Sequence, residues 1–135
     1  MMTSPSALDA VQAALYARLT GDAELMALVS GVYDDVAEGT PYPYVALGES
    51  METPDNTHDG KGRSTVVTLH VWSRYAGFTE ATRIAGRLVE LLDERPLNVT
   101  GRTHISTRFE FSQTLRDPDP RLRHVPVRFR VSTEQ

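Results

Sequence analysis

The sequence predicts an α+β fold, a mostly antiparallel sheet of four to five strands with helices packed on one face. Three observations carry that expectation. Apolar residues recur at helical spacing near the start of the chain and again after Thr79. The segments 65–74, 104–111 and 124–131 alternate instead, one residue in and the next out, as half-buried strands do. The last two of these follow each other across a short polar turn, which joins antiparallel neighbours. At 135 residues the chain fits a single domain, 1–135, able to hide roughly two-thirds of its unfolded surface without staples.

Ser4-Pro5 predicts the opening of the first helix, serine as a cap and proline at the first helical position. Leu8, Val11, Leu15 and Leu19 form its apolar stripe, with Ala14 beside them. Gly21 interrupts, Asp22 can cap a second short helix, and Leu25, Met26, Leu28 and Val29 give that helix its apolar side before Gly31 ends it. Val32 to Val36 suits a short strand, and Tyr42 to Gly48 a better one entered through Pro41 and Pro43. Thr53 to Arg63 is turn formers and charge, a loop long for a hairpin connection.

Thr65 to Arg74 then puts Val67, Leu69 and Val71 on one face and Val66, Thr68, His70 and Trp72 on the other. Gly77 and Thr79 start a third helix, with Ala81, Ile84, Leu88, Leu91 and Leu92 inward, Glu80, Arg83, Arg87 and Glu90 on the wet side, and Pro96 as its stop. In the first closing strand Ile105, Thr107, Phe109 and Phe111 share a face opposite His104, Ser106, Arg108 and Glu110. After the Asp117-Pro118-Asp119-Pro120 turn, Val125, Val127, Phe129 and Val131 face in and His124, Pro126, Arg128 and Arg130 face out. Pro126 has no N–H to give a ladder, which predicts a sheet edge there. The expected core is Leu8, Val11, Leu15, Leu19, Leu28, Val45, Leu47, Val67, Leu69, Val71, Ile84, Leu88, Leu91, Ile105, Phe109, Val127 and Phe129.

Composition excludes several function classes. With no cysteine there is no disulfide, thiolate metal site or cysteine nucleophile. A formal net charge of −4 gives no electrostatic case for gripping nucleic acid or an acidic membrane. No apolar run approaches the roughly 20 residues that span a bilayer, and a basic, apolar leader is absent, which predicts a cytoplasmic site of synthesis. Lys61 is the lone lysine among arginines, the side chain suited to forked contacts at interfaces.

The motifs that could carry chemistry are incomplete. Asp55 to Gly60 is faintly like a calcium loop, but Thr57 and Val66 stand where that loop wants Asp or Asn and Glu. Gly60-Lys61-Gly62 lacks the Ser/Thr of a phosphate loop and precedes a strand. His58, His70, His104 and His124 show no helical metal-ligand spacing. Asp34-Asp35 and Glu49 to Glu52 read as solvated strand ends. No catalytic, cofactor or metal residue is therefore assigned. The polar sheet face carrying Arg108, Glu110, Arg128 and Arg130, with His104 and His124 nearby, reads as a solvated face, a subunit interface or a lumen wall.

Taken in order, these segments resemble a known family. Ala10 to Leu19 with the Asp22-Ala23-Glu24-Leu25 helix, Val32-Tyr33-Asp34 leading to Tyr42-Pro43-Tyr44-Val45, and Leu69-His70-Val71-Trp72-Ser73 before a helix carry the likeness. So do Arg108-Phe109-Glu110, the Arg116-Asp117-Pro118-Asp119 turn and Val127-Arg128-Phe129-Arg130. Together they resemble the tail completion, or tail terminator, proteins of long-tailed phages, prophages and gene-transfer particles. The resemblance implies a non-enzymatic virion protein, without cofactors. It implies a hexameric ring at the head-proximal end of the tail tube, assembled in the bacterial host cytoplasm. Such a ring ends tube growth, meets the head–tail connector and passes DNA without specific binding. Tyr42, Tyr44, Asp55, Asn56, His58, Asp59, Lys61, Arg63, Arg108, Arg128 and Arg130 are the expected contact residues. The alternatives are another neck component, such as a head-closure or connector protein, or a small enzyme or ligand-binding domain working through His70 or Asp59.

Overall fold

The computed structural model describes residues 5–56 and 60–135, so the expectations resting on Ser4, His58 and Asp59 lie outside the described residues. Helices α1 (Leu8–Thr20) and α2 (Ala23–Leu28) come first, followed by strands β1 (Val32–Tyr33), β2 (Tyr44–Pro54) and β3 (Gly62–Ser73). Helix α3 (Thr79–Leu92) and strands β4 (Thr103–Ser112), β5 (Leu115–Arg116) and β6 (Arg123–Glu134) complete the described elements. The sheet runs β1-β2-β3-β6-β4, with β5 also on β6. Only β1 with β2 is parallel; the other pairings are antiparallel. The chain is α+β, as its residue pattern predicts.

The helices cover one face of the sheet. Val45, Val71 and Val125 line up across β2, β3 and β6, followed by Leu47, Leu69 and Val127, and then by Val67 and Phe129. Against them lie Val11, Leu15 and Leu19 of α1, Leu25 of α2, and Ile84, Leu88 and Leu92 of α3. Leu97 and Val99, on the stretch after α3, complete this core. Burying a side chain of this size contributes about 1.5–3 kcal/mol.

Element ends depart from expectation for local reasons. Helix α1 begins at Leu8 with Ala7 before it, and no side chain of its own caps it. Instead the Glu52 carboxylate of β2 accepts the Ala7 N–H at 2.6 Å, placing an anion at the positive end of the helix. Asp22 does cap α2, accepting the Leu25 N–H at 2.8 Å. That helix ends at Leu28, with Val29 already extended, so Gly31 serves β1 rather than a helix end; a side chain there would strike the Tyr33 ring. Strand β1 stops at Tyr33, short of Val36. Strand β2 continues well past Gly48, because Ser50 to Pro54 pair with Val67 to Arg63, and this shortens the expected loop. Helix α3 stops at Leu92, ahead of Pro96.

The closing strands require larger corrections. Bulges between His104 and Ser106 and between Phe109 and Phe111 break the alternation of β4 twice. Phe111 therefore comes opposite Arg128, on the polar face, and leaves the row shared by Thr107 and Phe109. Ile105 is 53% exposed, and Phe109 and Leu8 are each 37% exposed, so these three are not core residues. Leu28, Leu47 and Leu91 are only partly buried. Strand β6 is central, between β3 on one side and β4 and β5 on the other, so Pro126 does not mark an edge. It sits where β4 hands over to β5, and its carbonyl accepts the Gln113 N–H from that gap. Its missing N–H points to the same irregular side, so no ladder bond is lost.

Candidate functional site

The sheet face away from the helices is built by register. Tyr44, Trp72, His124 and Leu115 form one row, Ala46, His70 and Pro126 the next, and Met51, Val66, Arg130 and Arg108 a third. Arg108 and Arg130 stand directly opposite each other, a repulsive arrangement on its own. Glu110 relieves it by accepting from Arg130 Nε at 2.8 Å, while Arg130 Nη1 donates to Ser64 at 2.7 Å. Arg128 lies over the Phe111 ring, 4.7 Å from its centre. Arg108, Arg128 and Arg130 are all exposed, positioned to fork onto carboxylates of a neighbour.

His104 does not join them. It pairs with Thr133 at the helix-side end of the sheet, with Nε2 2.7 Å from Thr107 Oγ1. Burial, and then the charge of Arg18, push its pKa down. His124 does lie on the polar face, stacked flat on Trp72 with ring centres 4.0 Å apart. Its Nε2 is 2.7 Å from His70 Nδ1, and His70 Nε2 is 3.3 Å from the Glu49 carboxylate. With both rings neutral the chain is satisfied when His124 donates to His70 and His70 to Glu49. Burial, then the neighbouring His70, lower the His124 pKa.

The tyrosines form a cluster where β2 begins. Tyr44 is buried, edge-on to Tyr33 at 6.0 Å and 5.1 Å from Tyr42. Burial, and then Tyr42, push its hydroxyl pKa up to about 12. Tyr42 is half-buried, with Arg74 5.7 Å from its ring centre, and both line an open concavity of about 710 Å³ bounded by residues 36–41. Asp55 and Asn56 are exposed beyond β2, with the Asn56 side chain accepting the Gly62 N–H at 3.2 Å. Lys61 is partly covered; Arg63 is half-buried, its Nε 3.7 Å from Glu52. The expected contact residues thus separate into a tyrosine corner, a hairpin end and an arginine face.

Sequence reasoning missed the two free flanks of the sheet. Strand β1 covers only Val45 and Ala46 of β2, and among the described residues no strand lies on that outer side of the rest of β2. Met51 on that flank is 62% exposed. On the far flank, β4 borders a cleft of about 400 Å³ with Ile105 in its lining. A bulge that moves a residue out of register leaves no mark in a single sequence, so the exposure of Ile105 had no signal to find. Among the described residues no group of three His, Cys, Asp or Glu side chains could hold a metal ion.

Comparison with known proteins matches the chain to a family, to a relative of that family and to solved structures. The family described as tail completion protein gp17 matches residues 13–134. The tail completion protein gp17 of Bacillus phage SPP1 is 32% identical over 135 residues, covering 97% of this chain and 98% of that protein. A chain in the solved virion of a native gene transfer agent particle superimposes with a TM-score of 0.88 at 29% identity, covering 98% of this chain and 100% of that one. The solved gp17 protein of bacteriophage SPP1 gives a TM-score of 0.64 at 28% identity, covering 91% and 88%.

Proposed function

Since this chain belongs to the tail completion protein gp17 family, we propose that it is a structural component of a virion tail and acts as its terminator. Copies of the chain close into a hexameric ring on the head-proximal end of the tail tube. The ring ends tube polymerisation and presents the tail to the head–tail connector. The observation that supports this reading best is the match to a chain of an assembled gene-transfer virion along almost the whole length of both chains. The 135 residues serve as one domain, and their work is geometric: the protein is not an enzyme and needs no cofactor.

The physical features agree with that role. A ring of chains each with a formal net charge of −4 suits a conduit that lets DNA phosphates slide without holding them. The arginine face of Arg108, Arg128 and Arg130, the Tyr42 corner and the hairpin end at Asp55, Asn56, Lys61 and Arg63 are the surfaces proposed to meet neighbouring copies or the tube. Assembly takes place in the bacterial host cytoplasm, away from membranes; no helix among the described residues is long and apolar enough to cross one. The test is tube length. Tail-tube protein polymerised with this chain gives short tubes of bounded length with one decorated end, whereas unbounded tubes with bare ends overturn the proposal.

A further inference from the structure

Large aliphatic side chains stand well exposed on both flanks of the sheet: Met51 on β2 at 62% and Ile105 on β4 at 53%. A solvent-facing strand flank with an exposed apolar side chain is a template for another chain unless something covers it. The flanks differ in kind. On β2, residues 48–53 have β3 on one side and no strand on the other among the described residues, so their outward backbone groups are open to a partner. On β4 the middle of the outer backbone is already taken, because Thr107 accepts the Glu94 N–H at 2.8 Å and Phe109 donates to the Asp93 carboxylate at 2.8 Å. What β4 offers is the cleft of about 400 Å³, lined by Arg95, Pro96, His104, Ile105, Thr107 and Arg108.

The two flanks also differ in charge. The β2 side carries Glu49, whose side chain is 73% exposed, and the exposed Asp55. The cleft beside β4 is lined by Arg95 and Arg108, both exposed, against a single carboxylate, Glu94; Asp93 and Glu110 of the same flank are taken up by the Phe109 N–H and by Arg130. One flank is an acidic edge with an apolar knob; the other is a basic cleft with an apolar wall. Like flanks repel and unlike flanks attract, which disfavours a two-fold pair and favours head-to-tail contact.

We propose that the β2 edge of one copy, led by Met51, seats in the cleft beside β4 of the next copy, against Ile105, and that this contact, repeated head-to-tail, closes the ring. The proposal rests on the ring reading above and adds which surfaces make it. A shared Met–Ile contact removes both exposed side chains from water, while Glu49 faces Arg95 and Arg108 across the seam.

The chain has no cysteine, so introduced thiols are the only ones it carries. Full-length Met51→Cys/Ile105→Cys protein, mixed with tail-tube protein and treated with a short bis-maleimide, gives a ladder up to the full ring on a denaturing gel. Either single variant alone gives no cross-link, and the two single variants mixed give dimers only. Cross-linked dimers from one single variant alone would show like flanks meeting and would overturn the inference. Wild-type rings in native mass spectrometry together with no ladder from the double variant would overturn the placement while leaving the ring reading intact. Wild-type protein that stays monomeric with tubes would overturn both. As a second check, Glu49→Arg and Arg108→Glu each lower ring yield severalfold alone and restore it when mixed; no recovery on mixing contradicts the charge pairing.

Discussion

Gly48 lies directly beneath the ring of His70: a side-chain carbon placed on it would come within 2.4 Å of the His70 ring and 2.6 Å of the Thr68 carbonyl. The contact occurs at the β2 bulge between Leu47 and Ser50, where the chain brings the Glu49 carboxylate to His70. Gly48→Ala is therefore expected to cost about 1–3 kcal/mol, as overpacking does. In a His70→Ala background the cost falls but does not vanish, because the Thr68 carbonyl remains. Urea unfolding of the four proteins of the cycle measures the coupling; strict additivity would show that the ring and Gly48 do not touch.

Asp22 joins α2 to α3. Its carboxylate caps α2 and also receives Arg87 Nε at 2.9 Å and Nη2 at 2.7 Å. The expected order of loss in melting temperature is Asp22→Ala largest, Asp22→Asn intermediate, since asparagine still caps, and Arg87→Lys smallest, since lysine keeps the charge but loses the fork. Thermal melts by circular dichroism check the order. Asn melting with Ala would remove the cap from the account.

Acid should loosen the fold before any carboxylate matters. His104 and His124 are both held below the ordinary imidazole value. Burial is the first cause for each; Arg18 adds to it at His104, and His70 at His124, where Asp117 and Glu49 pull weakly the other way. A histidine that binds its proton less readily folded than unfolded loses stability as pH drops through about 6.5 toward its folded value. Asp22, held below its usual value by Arg87 and the Leu25 N–H, keeps its contribution until pH falls past about 3.8 and does not enter this window. Melting temperature is expected to fall between about pH 7.5 and pH 5.5, with a shallower slope in His104→Asn/His124→Asn. An unchanged slope in that variant would locate the effect elsewhere.

Core and flank should respond oppositely. Phe129 is wholly buried, and Phe129→Ala is expected to cost about 3–5 kcal/mol of stability. Ile105→Ala should stay within about 0.5 kcal/mol in the free chain yet lower ring yield. Denaturant unfolding and native mass spectrometry read the two effects separately. A large unfolding cost at Ile105 would return it to the core.

Alternation made β3 and β6 legible, because Val67, Leu69 and Val71 and then Val125, Val127, Phe129 and Val131 report a buried face every second residue. Helix spacing served α1 and α3 in the same way. Strand β4 misled because each of its bulges shifts the side-chain alternation by one residue, and nothing local in His104-Ile105-Ser106 announces that. Pro126 misled because a proline rule about edges also admits a gap inside the sheet. The arginine face was visible in strand order alone. The His70–His124 contact and the unlike flanks needed the pairing of strands distant in sequence, which one sequence does not specify.

The central claim is that copies of this chain close around an axis at a tube end. Electron cryomicroscopy of tube ends assembled with the purified chain tests it most directly. The account predicts a single six-fold ring at one end of each tube, with the β2 edge of each copy against β4 of the next. Tube ends bare of the chain, or copies bound singly along the tube wall, would contradict it.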